Sequence, residues 1–252
     1  MSIMKERYFR FKQFGVRHDK APMKVGVDGV LLGAWAYANG LSVLDVGTGC
    51  GLIALMMAQR NPTALILGID VHEQAIEEAR QNAFDTEWTD RLYFENHSFE
   101  EQVKLGDRFD VVVSNPPFFH AGVSGDLDQR QTSRHAAQLS PESLLISAEK
   151  ILNPEGRLAM ITPRDQLQTL LSVAAENNLK PARLTEVTTV EGKAAKRLLS
   201  EWMLNDIPGS TGLDKGANDV EIETLYIEKG EPGKRVFSAE YKALCSPFYL
   251  DF

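Results

Sequence analysis

The sequence of 252 residues has little cysteine, no long apolar run and no excess of basic charge. Its two cysteines, Cys50 and Cys245, lack the spacing of a metal site, and a chain of this length rarely depends on one disulfide. No apolar run approaches the roughly 18 residues that a membrane-spanning helix needs, and the N-terminus lacks the apolar core of a signal peptide. We therefore expect a cytoplasmic protein with reduced thiols, no metal and no membrane contact.

The net charge of −8 argues against a protein that is coated in basic surface for nucleic acid. The charge is unevenly distributed, however, because residues 1–24 hold seven basic and two acidic side chains, a net +5. Aromatic residues are interleaved with these charges at Tyr8, Phe9, Phe11 and Phe14. This composition is typical of an arm that contacts phosphates and stacks on bases. The alternative is a terminal tail whose aromatic rings pack on the body of the protein.

Short apolar strands alternate with helical patterns along the rest of the chain. We predict strands at residues 42–46, 65–70, 92–95, 110–114 and 157–161, and helices at 52–59, 72–84, 140–152 and 164–177. Strand-rich segments follow at 182–190, 197–204 and 220–227. This order predicts an α/β fold with a doubly wound, mostly parallel sheet and an antiparallel edge. Residues 1–36 are expected to form an arm and a helix packed on a main domain of residues 37–252.

The chain is organised around residues 110–119, where a buried strand runs into Asn115-Pro116-Pro117-Phe118. The two prolines end the strand because proline cannot donate to a ladder, and open α/β sheets carry their chemistry at such strand ends. Asn115 and the Pro116 carbonyl offer acceptors, and Phe118 offers an aromatic face. These groups suit a planar ligand with an NH2 group, such as adenine, cytosine, guanine or a glutamine amide. The alternative is a polar turn that only ends a strand.

A glycine-rich turn follows the first of these strands, at residues 45–51. Asp45 lies two residues before Gly47, where it would repel a pyrophosphate and favour a cationic group, such as the amino-acid end of S-adenosylmethionine. Asp70 ends the next strand and is placed to accept hydrogen bonds from both ribose hydroxyls. The alternative is that the glycines Gly47 and Gly49 serve only a tight turn.

Together these motifs resemble the class I S-adenosylmethionine-dependent methyltransferases, with the N-P-P-[FY] motif of the group that methylates amines. Residues 11–14, 23–35, 114–119 and 241–250 are similar to the bacterial tRNA1(Val) (adenine(37)-N6)-methyltransferase family. The similarity covers nearly the whole chain. It implies a seven-stranded, Rossmann-like sheet, S-adenosylmethionine as cofactor, and a monomer that methylates N6 of adenine 37 in tRNA.

The resemblance also assigns roles to individual residues. It implies that the segment from Lys24 to Asp28 closes over the methionine end of the cofactor. Ser98, or alternatively Asn96, stands where many relatives have an aspartate that contacts the cofactor's adenine. The full set of implied cofactor-binding residues is Lys24, Asp28, Asp45, Gly47, Gly49, Asp70, Ser98 and Asn115. The implied catalytic residues, which hold the target adenine, are Asn115, Pro116, Pro117 and Phe118.

The mechanism expected from these residues needs no general base. Asn115 and Pro116 would accept both N6 hydrogens and aim the nitrogen lone pair at the methyl group, while Phe118 fixes the ring plane. The arm and the long segment 119–139, which includes Arg130 and Arg134, are expected to grip the tRNA.

Three alternatives remain open at this stage. An amide of a release-factor glutamine would fit the same acceptors, but a protein substrate would not need the basic, aromatic arm. A guanine-N2 methyltransferase of rRNA has a similar motif, but usually carries a duplicated domain for which this chain has no room. A non-catalytic protein that binds RNA or S-adenosylmethionine is the third, although Asp45, Asp70 and Asn115 are all retained.

Overall fold

The computed structural model describes residues 8–117, 139–205 and 220–251. The strands in these ranges are β1 (Tyr8–Arg10), β2 (Gly15–Arg17), β3 (Ser42–Val46), β4 (Leu65–Asp70), β5 (Leu92–Asn96), β6 (Phe109–Ser114), β7 (Leu152–Pro163), β8 (Leu179–Val190), β9 (Arg197–Leu204), β10 (Ile222–Lys229) and β11 (Val236–Phe237). The helices are α1 (Val27–Trp35), α2 (Leu52–Arg60), α3 (Glu73–Phe84), α4 (Phe99–Leu105), α5 (Pro141–Ile151), α6 (Leu167–Glu176) and α7 (Ala239–Cys245).

One large sheet forms the centre of the fold, with the strand order β11-β10-β8-β9-β7-β6-β3-β4-β5. Neighbours from β7 to β5 pair in parallel, which confirms the predicted doubly wound, mostly parallel α/β sheet. The sheet has nine strands, whereas the resemblance implied seven. Strand β10, which pairs with β8, corresponds to the strand-rich segment predicted at 220–227, and β11, which pairs with β10, was not predicted. Antiparallel β11 lies at the edge, while a second antiparallel strand, β9, is inserted between β7 and β8.

Helices cover both faces of the sheet, so its central strands are apolar on both sides. Val111, Val112 and Val113 of β6 are fully buried. One face packs against α1, α2, α3 and α7, and the other against α4, α5 and α6. This arrangement follows from the β-branched runs that the sequence shows, since only a strand buried on both faces can be apolar at successive positions.

Three helices begin at local sequence signals, of which the sequence analysis used one. Helix α5 begins as predicted, with Ser140 as the cap and Pro141 in the first turn; the Ser140 hydroxyl accepts from the Ser143 N–H. The sequence interpretation missed α4, although Ser98 and Glu101 form a capping box in which each side chain accepts from the other's backbone N–H. It also missed α7, which begins after Ser238.

The described part of the N-terminal arm, residues 8–17, forms a hairpin of β1 and β2 on the body of the protein. Phe11 is 1% exposed and Phe14 is 6% exposed, and their rings stack 4.7 Å apart. The prediction that these two rings stack on bases is therefore wrong, because neither is accessible to a base. The alternative, that aromatic rings pack on the body, is confirmed for this pair. Lys5 and Arg7 lie outside the described residues.

None of the helices in the described ranges combines the length and the apolar character needed to span a membrane.

Candidate functional site

A cavity of about 650 Å³ lies at the carboxyl ends of β3, β4 and β6. This is the position where open α/β sheets bind ligands, and the volume is typical of a small-molecule site. Its wall combines the glycine turn, residues 22–29 and the N-terminal end of α4. The polar or charged side chains in the wall are Lys24, Asp28, Thr48, Asp70, His72, His97, Ser98, Glu100 and Asn115.

The glycine turn that follows β3 exposes its backbone to this cavity. Gly47 and Gly49 have φ angles of 71° and 55°, in the left-handed region that side chains other than glycine rarely adopt. A Cβ atom at Gly47 would lie 3.1 Å from Leu139, whereas one at Gly49 would meet nothing within 4 Å. The backbone N–H groups of Gly47 and Thr48 donate to the Ile69 carbonyl, which ties the turn to β4. The glycine turn therefore lies at the predicted position, with its backbone bonded to β4 and lining the cavity.

Asp70 lines the cavity at the end of β4, as the sequence predicted for a ribose-binding carboxylate. One oxygen accepts from the Gly49 N–H at 3.0 Å and the other from the His72 N–H at 2.9 Å. Each carboxylate oxygen can accept a further hydrogen bond, so both remain available to a pair of hydroxyls. Two backbone contacts thus fix the orientation of this side chain before any ligand binds.

Asp45 lies behind the wall of the cavity, fully buried. Its Oδ2 accepts from the Thr48 hydroxyl at 2.7 Å and from the Ala54 N–H at 3.1 Å, while Oδ1 is buried and accepts no hydrogen bond from the described residues. Burial raises the pKa of this carboxyl to about 7, although both hydrogen bonds act in the opposite direction. Direct contact between Asp45 and a ligand stays a prediction, and the unpartnered oxygen is the feature that supports it.

Lys24 and Asp28 lie in the wall, within the segment that was expected to close over the methionine end. The Asp28 carboxylate pairs with the Arg197 guanidinium at 2.8 Å. The Lys24 ammonium donates to the carbonyls of Asp19 and Ala21 at 2.9 and 3.3 Å. These contacts hold both ends of the segment, so this part of the wall is shaped before a ligand arrives.

The wall after β5 differs from the predicted pattern in its details. Ser98 lines the cavity, but its hydroxyl is engaged in the cap of α4, where it donates to Glu101 at 2.8 Å. Asn96 lies outside the wall, and its amide donates to the Asp70 carbonyl at 2.9 Å. Sequence reasoning missed the neighbouring wall residues His97 and Glu100, which the Ser-x-x-Glu signature of a helix start could have located.

Asn115 lines the cavity directly after β6. Its side-chain oxygen is buried and has no hydrogen-bond partner within the structure. The Ser114 hydroxyl donates to the Val46 carbonyl at 2.9 Å, which joins the ends of β6 and β3 beneath it. Pro117 also lines the cavity and Pro116 is buried, while Phe118 lies outside the described residues. A residue at the wall of the cavity therefore carries a buried acceptor for which the described residues supply no donor.

No cluster of three or more His, Cys, Asp or Glu side chains within residues 8–117, 139–205 and 220–251 is arranged to hold a metal ion.

Comparison with known proteins gives consistent matches. The methyltransferase-domain family matches residues 38–206. The tRNA1(Val) (adenine(37)-N6)-methyltransferase of Porphyromonas gingivalis strain W83 is 43% identical over 250 residues, which cover 96% of this chain and 94% of that protein. The protein of the same name from Parabacteroides distasonis is 38% identical over 98% of this chain and 99% of its own. A solved structure of a predicted O-methyltransferase from Agrobacterium tumefaciens, 16% identical, superposes with a TM-score of 0.61 over 88% of this chain and 96% of that one, which shows the same fold.

Proposed function

This chain belongs to the tRNA1(Val) (adenine(37)-N6)-methyltransferase family, and from that premise we propose that it methylates N6 of adenine 37 in tRNA1(Val), with S-adenosylmethionine as the methyl donor. The observation that carries the proposal is the unpartnered oxygen of Asn115 in a cavity whose other side presents Asp70. An amine donor and a ribose diol are the groups that these two side chains would bind. Because the substrate is a tRNA, the proposal includes a cytoplasmic location.

The residues of the cavity fit S-adenosylmethionine. Asp70 would accept from the ribose hydroxyls, and the exposed backbone at Gly49 leaves room for the amino-acid end. The unpartnered oxygen of Asp45 would complete a site for an ammonium group, since a buried acceptor without a partner is costly until a donor reaches it. When bound, S-adenosylmethionine supplies a methyl group attached to a positively charged sulfur.

The target side acts by orienting the nucleophile. The nitrogen lone pair of an adenine amine is delocalised into the ring, so the amine reacts poorly unless it is turned. Asn115 and the Pro116 carbonyl would accept hydrogen bonds from the two N–H groups of the amine. These bonds would direct the nitrogen lone pair out of the ring plane. The nitrogen becomes strongly acidic as its new bond forms, and its proton passes to water without a general base. Phe118, which lies outside the described residues, is proposed to stack on the ring.

The tRNA would bind outside the cavity, on the arm and on segment 119–139, of which residues 119–138 lie outside the described residues. Within the described arm, Arg17 and Lys20 are already paired with Asp85 and Glu77. Arg10 is exposed on β1, and the exposed Lys12 ammonium donates to the Ser246 carbonyl and pairs with no carboxylate among the described residues. We therefore assign phosphate contacts to Arg10 and Lys12 before the paired residues.

A methyl-transfer assay with tritiated S-adenosylmethionine tests the proposal. Four acceptors are compared: tRNA1(Val) transcript, the same transcript with guanine at position 37, rRNA, and a release factor. We expect incorporation only into the first. Methylation of rRNA or of the release factor would replace the proposed substrate, and equal labelling of both transcripts would rule out adenine 37. Cofactor binding without transfer to any acceptor would indicate a non-catalytic protein.

A further inference from the structure

Glu78, on α3, makes three hydrogen bonds to the backbone of the arm. It is 5% exposed, and it is not one of the residues that line the cavity. One oxygen accepts from the N–H groups of Asp19 and Lys20 at 2.7 and 3.0 Å, and the other accepts from Ala21 at 2.9 Å. Hydrogen bonds to a charged group are among the stronger ones in proteins, so three of them define the conformation of this turn.

Asn82 lies one helical turn further along α3 and is fully buried. Its side-chain oxygen accepts from the Arg17 N–H at 2.9 Å. Its amide donates to the carbonyl of Arg17 and to the carbonyl of Cys50, both at 2.9 Å. Cys50 belongs to the glycine turn and lines the cavity. One helix therefore binds the arm and the glycine turn through a pair of adjacent polar side chains.

The turn that Glu78 holds leads directly into the cavity wall. Residues 22–24 and 26–29 line the cavity immediately after Ala21. The Lys24 ammonium returns to the carbonyls of Asp19 and Ala21, so Glu78 binds the N–H groups of the turn and Lys24 binds its carbonyls. Any displacement of residues 19–21 would therefore move the start of the wall.

We propose that Glu78 and Asn82 are positioning residues for the cofactor cavity, which hold residues 17–21 so that the wall at residues 22–29 stands in its ligand-binding position. They touch neither ligand nor substrate, and they act through the wall. The inference rests on the proposed binding of S-adenosylmethionine. Because the wall is fixed before the ligand arrives, less conformational entropy is lost on binding, and affinity for the cofactor rises.

The variant Glu78→Gln tests this, since it keeps the side-chain shape but turns one acceptor into a donor that faces backbone N–H groups. We expect the Kd for S-adenosylmethionine, measured by calorimetry, to rise about tenfold, which corresponds to the loss of roughly one hydrogen bond to a charged group. The kcat at saturating cofactor should stay within about twofold of the wild-type value, because the target side is not altered.

Glu77→Gln is the matched control, one position earlier on the same helix. Glu77 pairs with Lys20 of the same turn, but at the surface, with both side chains more than half exposed. Surface pairs contribute little, so its Kd should stay within about twofold of wild type. Equal Kd values in folded Glu78→Gln and Glu77→Gln would overturn the inference. If the wild-type protein does not bind S-adenosylmethionine, the proposed function itself has failed.

Hydrogen exchange on the unmodified protein decides the matter even if Glu78→Gln does not fold. Opening of the turn at residues 19–21 should require release of the cofactor, so a concentration of 100 times Kd should slow exchange of these three amides by about 100-fold. The amide of Lys234, which donates to the Glu231 carbonyl in a turn remote from the cavity, should be unaffected. Unchanged exchange at residues 19–21 in the presence of bound cofactor would show that the turn and the cavity are independent.

Discussion

The two sides of the cavity differ in how completely their polar groups are paired. On the side proposed to bind the cofactor, both oxygens of Asp70 accept hydrogen bonds from backbone N–H groups, Asp28 pairs with Arg197, and Lys24 donates to two carbonyls. On the side proposed to bind the target adenine, the side-chain oxygen of Asn115 is buried and accepts no hydrogen bond from the described residues. Contacts within the protein therefore shape the first side, whereas the second side has an acceptor whose donor must come from a ligand.

This difference indicates how the site selects what it binds. A buried acceptor without a partner costs about 1–3 kcal/mol, and this cost disappears only when a donor occupies the place. A ring that presents a carbonyl oxygen at that point would leave the Asn115 oxygen unpaired, and the two oxygens would repel each other. The proposed target side therefore selects a ligand with an amino group, while the proposed cofactor side selects a ligand whose shape fits a wall that is already fixed. Substitutions on the two sides should accordingly affect different quantities.

Removal of the unpaired acceptor should have the largest effect. We expect Asn115→Ala to lower kcat by about 10²–10³-fold, the usual cost of losing an orienting hydrogen-bond partner, with an unchanged Kd for the cofactor. Its unfolding free energy should not fall, because the buried oxygen that is removed accepts no hydrogen bond from the described residues. Steady-state kinetics measures the kcat, and chemical denaturation measures the unfolding free energy. Asn177→Ala, which lies outside the cavity, serves as the control. If the kcat of Asn115→Ala stays within a few-fold of the wild-type value, the role assigned to Asn115 is contradicted.

Asp45 is the exception on the cofactor side, and its titration sharpens the comparison. Its pKa is raised to about 7 from 3.8, so its contribution to stability is fully present below about pH 4 and is lost as the pH rises through 7. Between pH 5 and pH 8 the wild type should lose on the order of 2–3 kcal/mol of unfolding free energy that Asp45→Asn retains. Urea denaturation at both pH values gives the difference. Parallel pH profiles for the two proteins would show that Asp45 is not the titrating group.

Asp70 represents the fully paired side, so its loss should affect binding more than turnover. We expect Asp70→Ala to weaken S-adenosylmethionine binding by about 1.5–3 kcal/mol, the scale of hydrogen bonds to a charged group. Calorimetry measures this directly, with exposed Asp90→Ala as the control and a melting curve to verify the fold. An unchanged Kd would remove Asp70 from the cofactor site.

The basic residues of the arm also divide into paired and accessible groups. Substitutions of these residues should have the smallest effects of the four predictions. Replacing Arg10 and Lys12 by Gln should reduce the slope of log Kd for tRNA against log salt by about 1.4–1.8, because each phosphate contact contributes about 0.7–0.9. The double variant of Arg17 and Lys20, whose charges are already paired, should change the slope less. Equal slopes in all three proteins would remove the described arm from the RNA interface.

The sequence predicts those parts of the site that local pattern determines. The strands that end at Val46, Asp70 and Ser114 are apolar runs, and parallel strands present their carboxyl ends at one edge, so Gly49, Asp70 and Asn115 could be placed together. The confirmed start of α5 likewise follows from a serine and a proline. These predictions needed no knowledge of distant residues.

The remainder depends on contacts between distant parts of the chain. The burial of Asp45 could not be predicted, because its neighbours Thr48 and Ala54 reach it only after the turn and α2 have formed. Composition alone suggested that Phe11 would meet RNA, whereas its ring is covered by the body of the protein. The bonds from Glu78 to residues 19–21 span more than fifty positions, and no periodicity indicates them.

Lys12 joins the arm to the segment after α7, and this has a consequence for synthesis. Its backbone N–H donates to the Phe248 carbonyl and its ammonium to the Ser246 carbonyl, while Tyr249 packs on Phe9 and Phe11. The hairpin is thus translated early, but part of its docking surface is translated some 235 residues later, on the order of 10–50 s at the usual elongation rate. Glu78 and Asn82 can hold residues 17–21 early, but the contacts of Phe9, Phe11 and Lys12 with residues 246–249 form only after that interval. A nascent chain interrupted before residue 245 would therefore have its sheet but an incompletely docked hairpin.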